Sequence, residues 1–363
     1  MTLLDDSQAT ALLPSASPLQ LIDPGGHPGG NPGGLELPAP AVLRELHRRM
    51  VLGRRFDAES IAAARQGRLA VYPSSRGQDA CQVGGVLGLR EQDWLFPTYR
   101  DCVAILTRGV DPGETLTLLR GDWHCGYDPY LHHVAPQCTP LATHALHAVG
   151  LAHAATLQGA DQAALVMLGD GATSEGDTHE ALNFAAVWKA PVVFLVQNNG
   201  YAISVPLAKQ TAAPSIAAKG IGYGVPSLLI DGNDAAAVHA AVSAAISRAA
   251  AGGGPTLIEA LTYRLEPHTT ADDATRYRDA AEVQGWIARD PVTRLAAYLT
   301  AHGLLDDAAI ARLDAEAEQL AASVREWAGR DAAANPDDLF DHVYASPTQA
   351  LERQRASLKE YGP

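Results

Sequence analysis

Two short, unbroken apolar runs limit what this chain can fold into. Ala163 to Leu168 ends at Gly169, and Val192 to Val196 ends just before the turn signal Asn198-Asn199-Gly200. Runs this short, with no polar alternation, must be buried on both faces, which describes a parallel strand inside a helix-covered sheet. Thr178 to Lys189 reads as a helix between them, with Pro191 as its break. Ser227 to Ile230 repeats the strand signal. Asp234 then reads as the N-cap of an alanine-rich helix closing at Gly252 to Gly254, and Thr256 to Leu265 is a fourth strand. Strands alternating with helices in this way predict βαβ crossovers and an α/β fold built on a parallel sheet.

Around that centre the organisation is coarse. Residues 1–36 hold three Pro-Gly-Gly repeats, at 24–26, 28–30 and 32–34, and are expected to form a flexible arm. Residues 37–290 are expected to form the α/β domain, opening with a helix over Val42 to Gln66, and residues 291–363 a helical C-terminal region, its Pro291 to Arg330 part forming an outer bundle. Acidic residues number 41 against 27 basic ones, a net charge of −14, which argues against nucleic acid or an anionic membrane as a partner. No apolar run approaches the roughly 20 residues of a membrane span. Cys81, Cys102, Cys125 and Cys138 show no CxxC spacing, so a reducing compartment is expected. No lysine or arginine precedes Arg44, which lacks the charge pattern of a leader and makes the cytoplasm the default location.

In an open parallel sheet, ligands bind beyond the carboxyl ends of the strands. Here two consecutive strand ends carry Gly169-Asp170-Gly171-Ala172 and Asn198-Asn199-Gly200-Tyr201. The 26 residues between Gly171 and Asn198 (172 to 197) match one loop, one helix and one strand, so Asp170 and Asn199 are expected side by side. A carboxylate, an amide oxygen and a backbone carbonyl from the following turn are hard ligands suited to Mg²⁺, with phosphate oxygens completing the octahedron. The glycines let backbone approach a diphosphate.

The segment Gly169 to Ser204 resembles the thiamine-diphosphate motif, and more closely the α subunit of the decarboxylating component of 2-oxo acid dehydrogenase complexes. The resemblance spans roughly residues 38–300 and includes Arg76 to Ala80, Tyr99-Arg100-Asp101, Pro140 to Thr143 and Tyr263 to Arg278. It implies a parallel-sheet thiamine-diphosphate-binding fold with flanking helices and a helical C-terminal tail. It also implies oxidative decarboxylation of a 2-oxo acid, of the branched-chain 2-oxoisovalerate type, with acyl transfer to a lipoyl group. Asp170, Asn199 and the Tyr201 carbonyl match Mg²⁺ ligands; Gly169, Gly171 and Ala172 match positions lining the diphosphate. Tyr99, Arg100 and Arg264 match groups that face the phosphates, Thr139 and Leu141 flank the aminopyrimidine, and His268 matches the active-site histidine.

The implied partners are a β subunit completing an α₂β₂ heterotetramer, a lipoyl-bearing acyltransferase component and a small 2-oxo acid. A pyruvate dehydrogenase α subunit, an acetoin dehydrogenase α subunit and a non-catalytic cofactor-binding assembly subunit remain as alternatives. Some positions depart from the pattern. His144 replaces a glutamine of a loop that binds potassium in some relatives, leaving a monovalent cation near Thr143 open. Thr98 and Gln197 replace residues that flank the cofactor in animal members, and Thr269 and Asp279 replace their regulatory serines. His124, Cys125, His132, His133 and Cys138 lack the spacing of a zinc site, and His124 with His132 or His133 is expected near the substrate entrance.

Overall fold

The computed structural model describes residues 12–122, 124–330, 335–341 and 343–362. The described strands, in chain order, are β1 (Gln20–Ile22), β2 (Pro28–Asn31), β3 (Trp94–Phe96), β4 (Ala164–Gly169), β5 (Val192–Asn198), β6 (Tyr201–Ala202), β7 (Val205–Pro206), β8 (Ser227–Asp231) and β9 (Thr256–Leu261). Five of them form one sheet in the order β3-β4-β5-β9-β8, every pairing parallel. The apolar runs β4 and β5 lie at its middle, fully paired from Ala164 opposite Val192 to Gly169 opposite Gln197.

Strand periodicity splits each run between two cores. Leu165, Met167, Val193 and Leu195 face one side, against Ala104 and Ile105 and the Ala235–Arg248 helix with Val238, Val242 and Ile246. Val166, Leu168, Phe194 and Val196 face the other, against the Thr143–Gln158 and Gly176–Trp188 helices, which present Ala145, Ala148, Ala181 and Ala185. Alanines on those faces let helix and sheet approach closely. The strand β3 and the Thr143–Gln158 helix are not among the sequence expectations. Three residues of strand and a helix of alanines and histidines carry too little hydrophobic contrast to read from pattern alone.

Two expectations about the chain ends need correction. Residues 1–11, 123, 331–334, 342 and 363 lie outside the described residues. From Leu19 on, however, the supposed flexible arm is built into the core: Leu19, Leu21 and Ile22 are buried, and β1 pairs antiparallel with β2. Counting Pro-Gly-Gly repeats missed the apolar Leu19-Gln20-Leu21-Ile22 stretch before them. Some of the glycines serve close packing: Gly26 has φ +81°, and a Cβ there would meet Ala297 Cβ at 2.7 Å, whereas Gly30 and Gly34 face open space. Nor is the C-terminal region a separate outer layer. Leu295, Tyr298 and Leu299 of the Pro291–Ala301 helix share a core with Leu43, Leu46 and Met50 of the Pro40–Arg65 helix. Val324 and Ala328 of the Asp307–Gly329 helix pack with Phe56, Tyr72 and Leu116.

Asp234 ties these parts together. Its Oδ1 caps the Ala235–Arg248 helix by accepting from Ala236 N (3.1 Å) and Ala237 N (3.2 Å). Its Oδ2 accepts from Leu21 N and Ile22 N, each at 2.7 Å, and lies 3.6 Å from the Arg294 guanidinium, which also donates to Ile22 O. Asp234→Ala therefore strands buried donors in three segments at once. We expect a loss of about 3–5 kcal/mol, the usual result of removing one partner from a buried charged network. Denaturant unfolding measures the loss, and hydrogen exchange should rise first at Leu21 and Ile22. Among the described residues no helix is long and apolar enough to cross a membrane.

Candidate active site

The carboxyl ends of β4 and β5 open onto a cavity of about 460 Å³. Gly169 and Asp170 come from the end of β4, Gly171 and Ala172 from the 3-10 turn that follows it. Asn199 comes from the turn after β5 and Tyr201 from the start of β6. Tyr99 and Arg100 reach in from the loop after β3, Thr139 and Leu141 from the loop before the Thr143–Gln158 helix, and Arg264 and His268 from the chain beyond β9. All twelve residues singled out from the sequence line this one cavity. At Gly171 a Cβ would meet Ala202 Cβ at 2.7 Å, so the β6–β7 hairpin seats against a position with no side chain.

The carboxylate of Asp170 is only half satisfied. Oδ2 accepts from Gln210 Nε2 at 2.7 Å, while Oδ1 is buried with no hydrogen-bond partner. Burial pushes its pKa up, against the opposing pull of the Gln210 hydrogen bond. A buried carboxylate oxygen left bare is costly unless something positive comes to it. Beside it, Asn199 Oδ1 accepts from Tyr201 N at 3.1 Å and Asn199 Nδ2 donates to Gln78 Oε1 at 3.1 Å.

The arginines show the complementary need. Arg264 is buried; it donates to Ile203 O and Tyr277 Oη, each at 2.9 Å, and its Nε has no partner. Burial, and secondarily Arg100, pull its pKa down. Arg100 donates to Ser74 O and His268 Nδ1, each at 3.0 Å, rather than to a carboxylate. Two guanidinium groups near each other, neither in a salt bridge among the described residues, form a site made for a polyanion. An unsatisfied carboxylate oxygen in the same cavity is made for a cation. Together they fit an anion bridged by a metal.

His268 sits between these charges. Its N donates to Asp272 Oδ2 at 2.9 Å, and its ring meets Tyr99 edge-on at 6.0 Å. Burial, then Arg100 and Arg264, push its pKa down to about 4, so the ring is neutral near pH 7. An arginine only donates, so Nδ1 is the acceptor and the ring proton resides on Nε2. That tautomer is a hydrogen-bond donor.

Several placements differ from expectation. His124, His132 and His133 do not line the cavity; His133 bonds Glu91 O through Nδ1 at 2.9 Å and packs on Trp94, and His132 lies against Tyr127. His144 does line it, its Nε2 bonded to Met167 O at 2.7 Å, and Thr143 Oγ1 donates to Asp177. Asp279 caps the Ala280–Ile287 helix through Ala281 N. Gln210, bonded to Asp170, was not singled out; no local pattern marks a glutamine forty residues away as its partner. Gln78 and Gln197, which also line the cavity, received no role there.

Comparison with known proteins agrees with this geometry. Residues 47–336 match the family described as dehydrogenase E1 component. The chain is 46% identical to a 3-methyl-2-oxobutanoate dehydrogenase subunit alpha of Mycobacterium tuberculosis, over 94% of this chain and 93% of that protein. It is 42% identical to a pyruvate dehydrogenase E1 component subunit alpha of Staphylococcus aureus, over 73% of this chain and 72% of that one. A Staphylococcus epidermidis protein of the same description is 38% identical over 88% of this chain and 86% of its own. The chain thus belongs to the dehydrogenase E1 component family, as an α-subunit-type member of the thiamine-diphosphate-dependent 2-oxo acid dehydrogenases.

Proposed function

We propose that this chain, assembled with a β subunit as an α₂β₂ heterotetramer, binds thiamine diphosphate through Mg²⁺ in the β4–β5 cavity. There it decarboxylates a branched-chain 2-oxo acid and passes the acyl group to a lipoyl group on an acyltransferase component. The observation that carries the reading is the pairing, in one cavity, of a half-satisfied buried carboxylate with two arginines that form no salt bridge among the described residues. Asp170, Asn199 and the Tyr201 carbonyl are the metal ligands in this reading. Arg100 and Arg264, with Tyr99, take the phosphate oxygens, and Gly169, Gly171 and Ala172 leave room for them. Thr139 and Leu141 flank the aminopyrimidine. Once bound, the cofactor supplies the electron sink for loss of CO₂. His268 donates from Nε2 to charge that develops beside it, and the fold supplies orientation and excludes water.

Apolar Val71, Leu119, Leu141 and Ile203 line the cavity, which favours a branched aliphatic acyl group over acetyl. The mycobacterial relative is named for 3-methyl-2-oxobutanoate. Leu141 and Ile203 in the cavity wall and Val205 on the neighbouring hairpin stay exposed in the single chain, an apolar rim suited to cover by a β subunit. The test is reconstitution with the β subunit, following an artificial electron acceptor with 3-methyl-2-oxobutanoate and pyruvate in parallel. The expected result is higher kcat/KM for the branched acid and no turnover by the isolated chain. Preference for pyruvate would reassign the substrate, and robust turnover without a β subunit would overturn the shared site.

A further inference from the structure

We propose that Asp101 is a positioning residue that sets which way the Asn199 amide points, acting through a series of hydrogen-bonded amides, so that Asn199 offers oxygen rather than nitrogen to the metal. The inference rests on the metal–diphosphate reading of the cavity and adds to it Asp101, which does not itself line the cavity.

The series starts at a carboxylate that only accepts. Asp101 Oδ2 is taken by Thr98 N (2.7 Å) and Thr98 Oγ1 (2.6 Å). Asp101 Oδ1 accepts from Gln197 Nε2 at 2.7 Å. Gln197 must therefore turn its carbonyl the other way, where Oε1 accepts from Gln78 Nε2 at 3.0 Å. Gln78 in turn presents Oε1 to Asn199 Nδ2 at 3.1 Å. With its NH₂ so engaged, Asn199 keeps Oδ1 turned away from Gln78, and among the described residues Tyr201 N alone donates to it. Asp101, Gln197, Gln78 and Asn199 are 0, 2, 3 and 6% exposed, so bulk water cannot substitute for a reversed link. In such a setting every amide follows its neighbour, and one acceptor-only end fixes the polarity of the whole row.

Among the described residues no other hydrogen bond engages the Asp101 carboxylate. It precedes the Cys102–Thr107 helix, yet its side chain does not cap that helix. The carboxylate is spent on Thr98 and on the first amide of the row.

The test uses the chain assembled with its β subunit and reads the Mg²⁺ dissociation constant by calorimetry at saturating thiamine diphosphate, with thermal midpoints measured in parallel. In Asp101→Asn, the Thr98 donors hold the amide oxygen, so the new NH₂ faces Gln197 and the row reverses, turning Asn199 Nδ2 toward the metal. Mg²⁺ affinity should fall by about 10-fold or more, the range typical of lost outer-shell support. Adding Gln197→Glu places an acceptor-only group one step along the row, restoring the direction of Gln78 and Asn199. Asp101→Asn/Gln197→Glu should return to within about 3-fold of the parent, inside the spread expected of a restored outer shell. Gln197→Met, which changes no charge but cuts the row, should also weaken Mg²⁺ binding, separating amide direction from simple attraction between charges.

Unchanged Mg²⁺ affinity in Asp101→Asn, or in Gln197→Met, overturns the proposal. So does failure of the double variant to recover, and that comparison remains decisive if Asp101→Asn alone does not assemble. Absence of Mg²⁺-dependent thiamine diphosphate binding by the unaltered enzyme instead overturns the reading of the cavity, and this inference with it.

Discussion

Asp170→Ala should abolish Mg²⁺-dependent thiamine diphosphate uptake by the assembled enzyme while leaving the thermal stability of the chain unchanged or raised. The two halves of this result come from one fact. The Asp170 carboxylate is buried, its Oδ1 has no partner, and burial already disfavours its charged form. Removing it takes away a cost of folding, and Gln210 keeps an acceptor because its Nε2 also donates to Val205 O at 2.9 Å. The same oxygen is the one left free for a cation. Losing a direct ligand should exceed the upper end, about 100-fold, of what loss of an outer-shell partner costs. Calorimetry and a thermal melt on the same preparation measure both halves. Retained cofactor uptake would falsify the metal assignment, and a large drop in stability would show that Asp170 is chiefly a structural residue.

His268→Ala should lower kcat by about 100-fold or more, the lower bound for losing a placed proton donor, with little change in cofactor affinity. Arg100 retains its bond to Ser74 O when the histidine is gone, so the phosphate-facing guanidinium stays anchored. The charge state of His268 supplies a second measurement. Burial and the two arginines hold its pKa at about 4, below the ordinary 6.5 of histidine. In the cofactor-free chain the ring is therefore neutral throughout pH 5 to 8 and protonates only as the pH falls toward 4. A bound diphosphate neutralises Arg100 and Arg264, relieving two of the three depressing influences, so the pKa should rise on cofactor binding. Selective labelling and magnetic resonance titration of His268, with and without cofactor, follow the shift. A fall on binding would contradict the placement of the diphosphate against the arginines.

How much of this was legible beforehand depends on where each signal resides. Strands β4 and β5, and the chemistry at their tips, could be read because each is a contiguous run ending in residues that few turns require. The N-cap role of Asp234 was equally local. Its three further contacts, with Leu21, Ile22 and Arg294, were not, since the first two lie 213 and 212 residues away and the third in a separate helix. Arg264 and His268 sit in loop sequence that pattern alone does not distinguish, and only the family resemblance picked them out. The row Asp101–Gln197–Gln78–Asn199 draws on three separate stretches of chain, so no periodicity or spacing announces it. The packed hairpin at β1 and β2 was misread because composition was weighed over the whole segment, which diluted four residues that matter.

That hairpin has a consequence for how the molecule must be handled. Strand β8 ends the sheet, and Leu19 runs alongside it, donating to Leu229 O at 2.9 Å and accepting from Asp231 N at 3.0 Å. The chain thus supplies its own blunting for a border that would otherwise display free amides to any neighbouring molecule. Proteolytic trimming through Leu19 removes that guard while leaving in place every residue that lines the cavity at the carboxyl ends of β4 and β5. Material nicked there should keep its chemistry and lose its colloidal behaviour, precipitating as a function of concentration long before it loses activity.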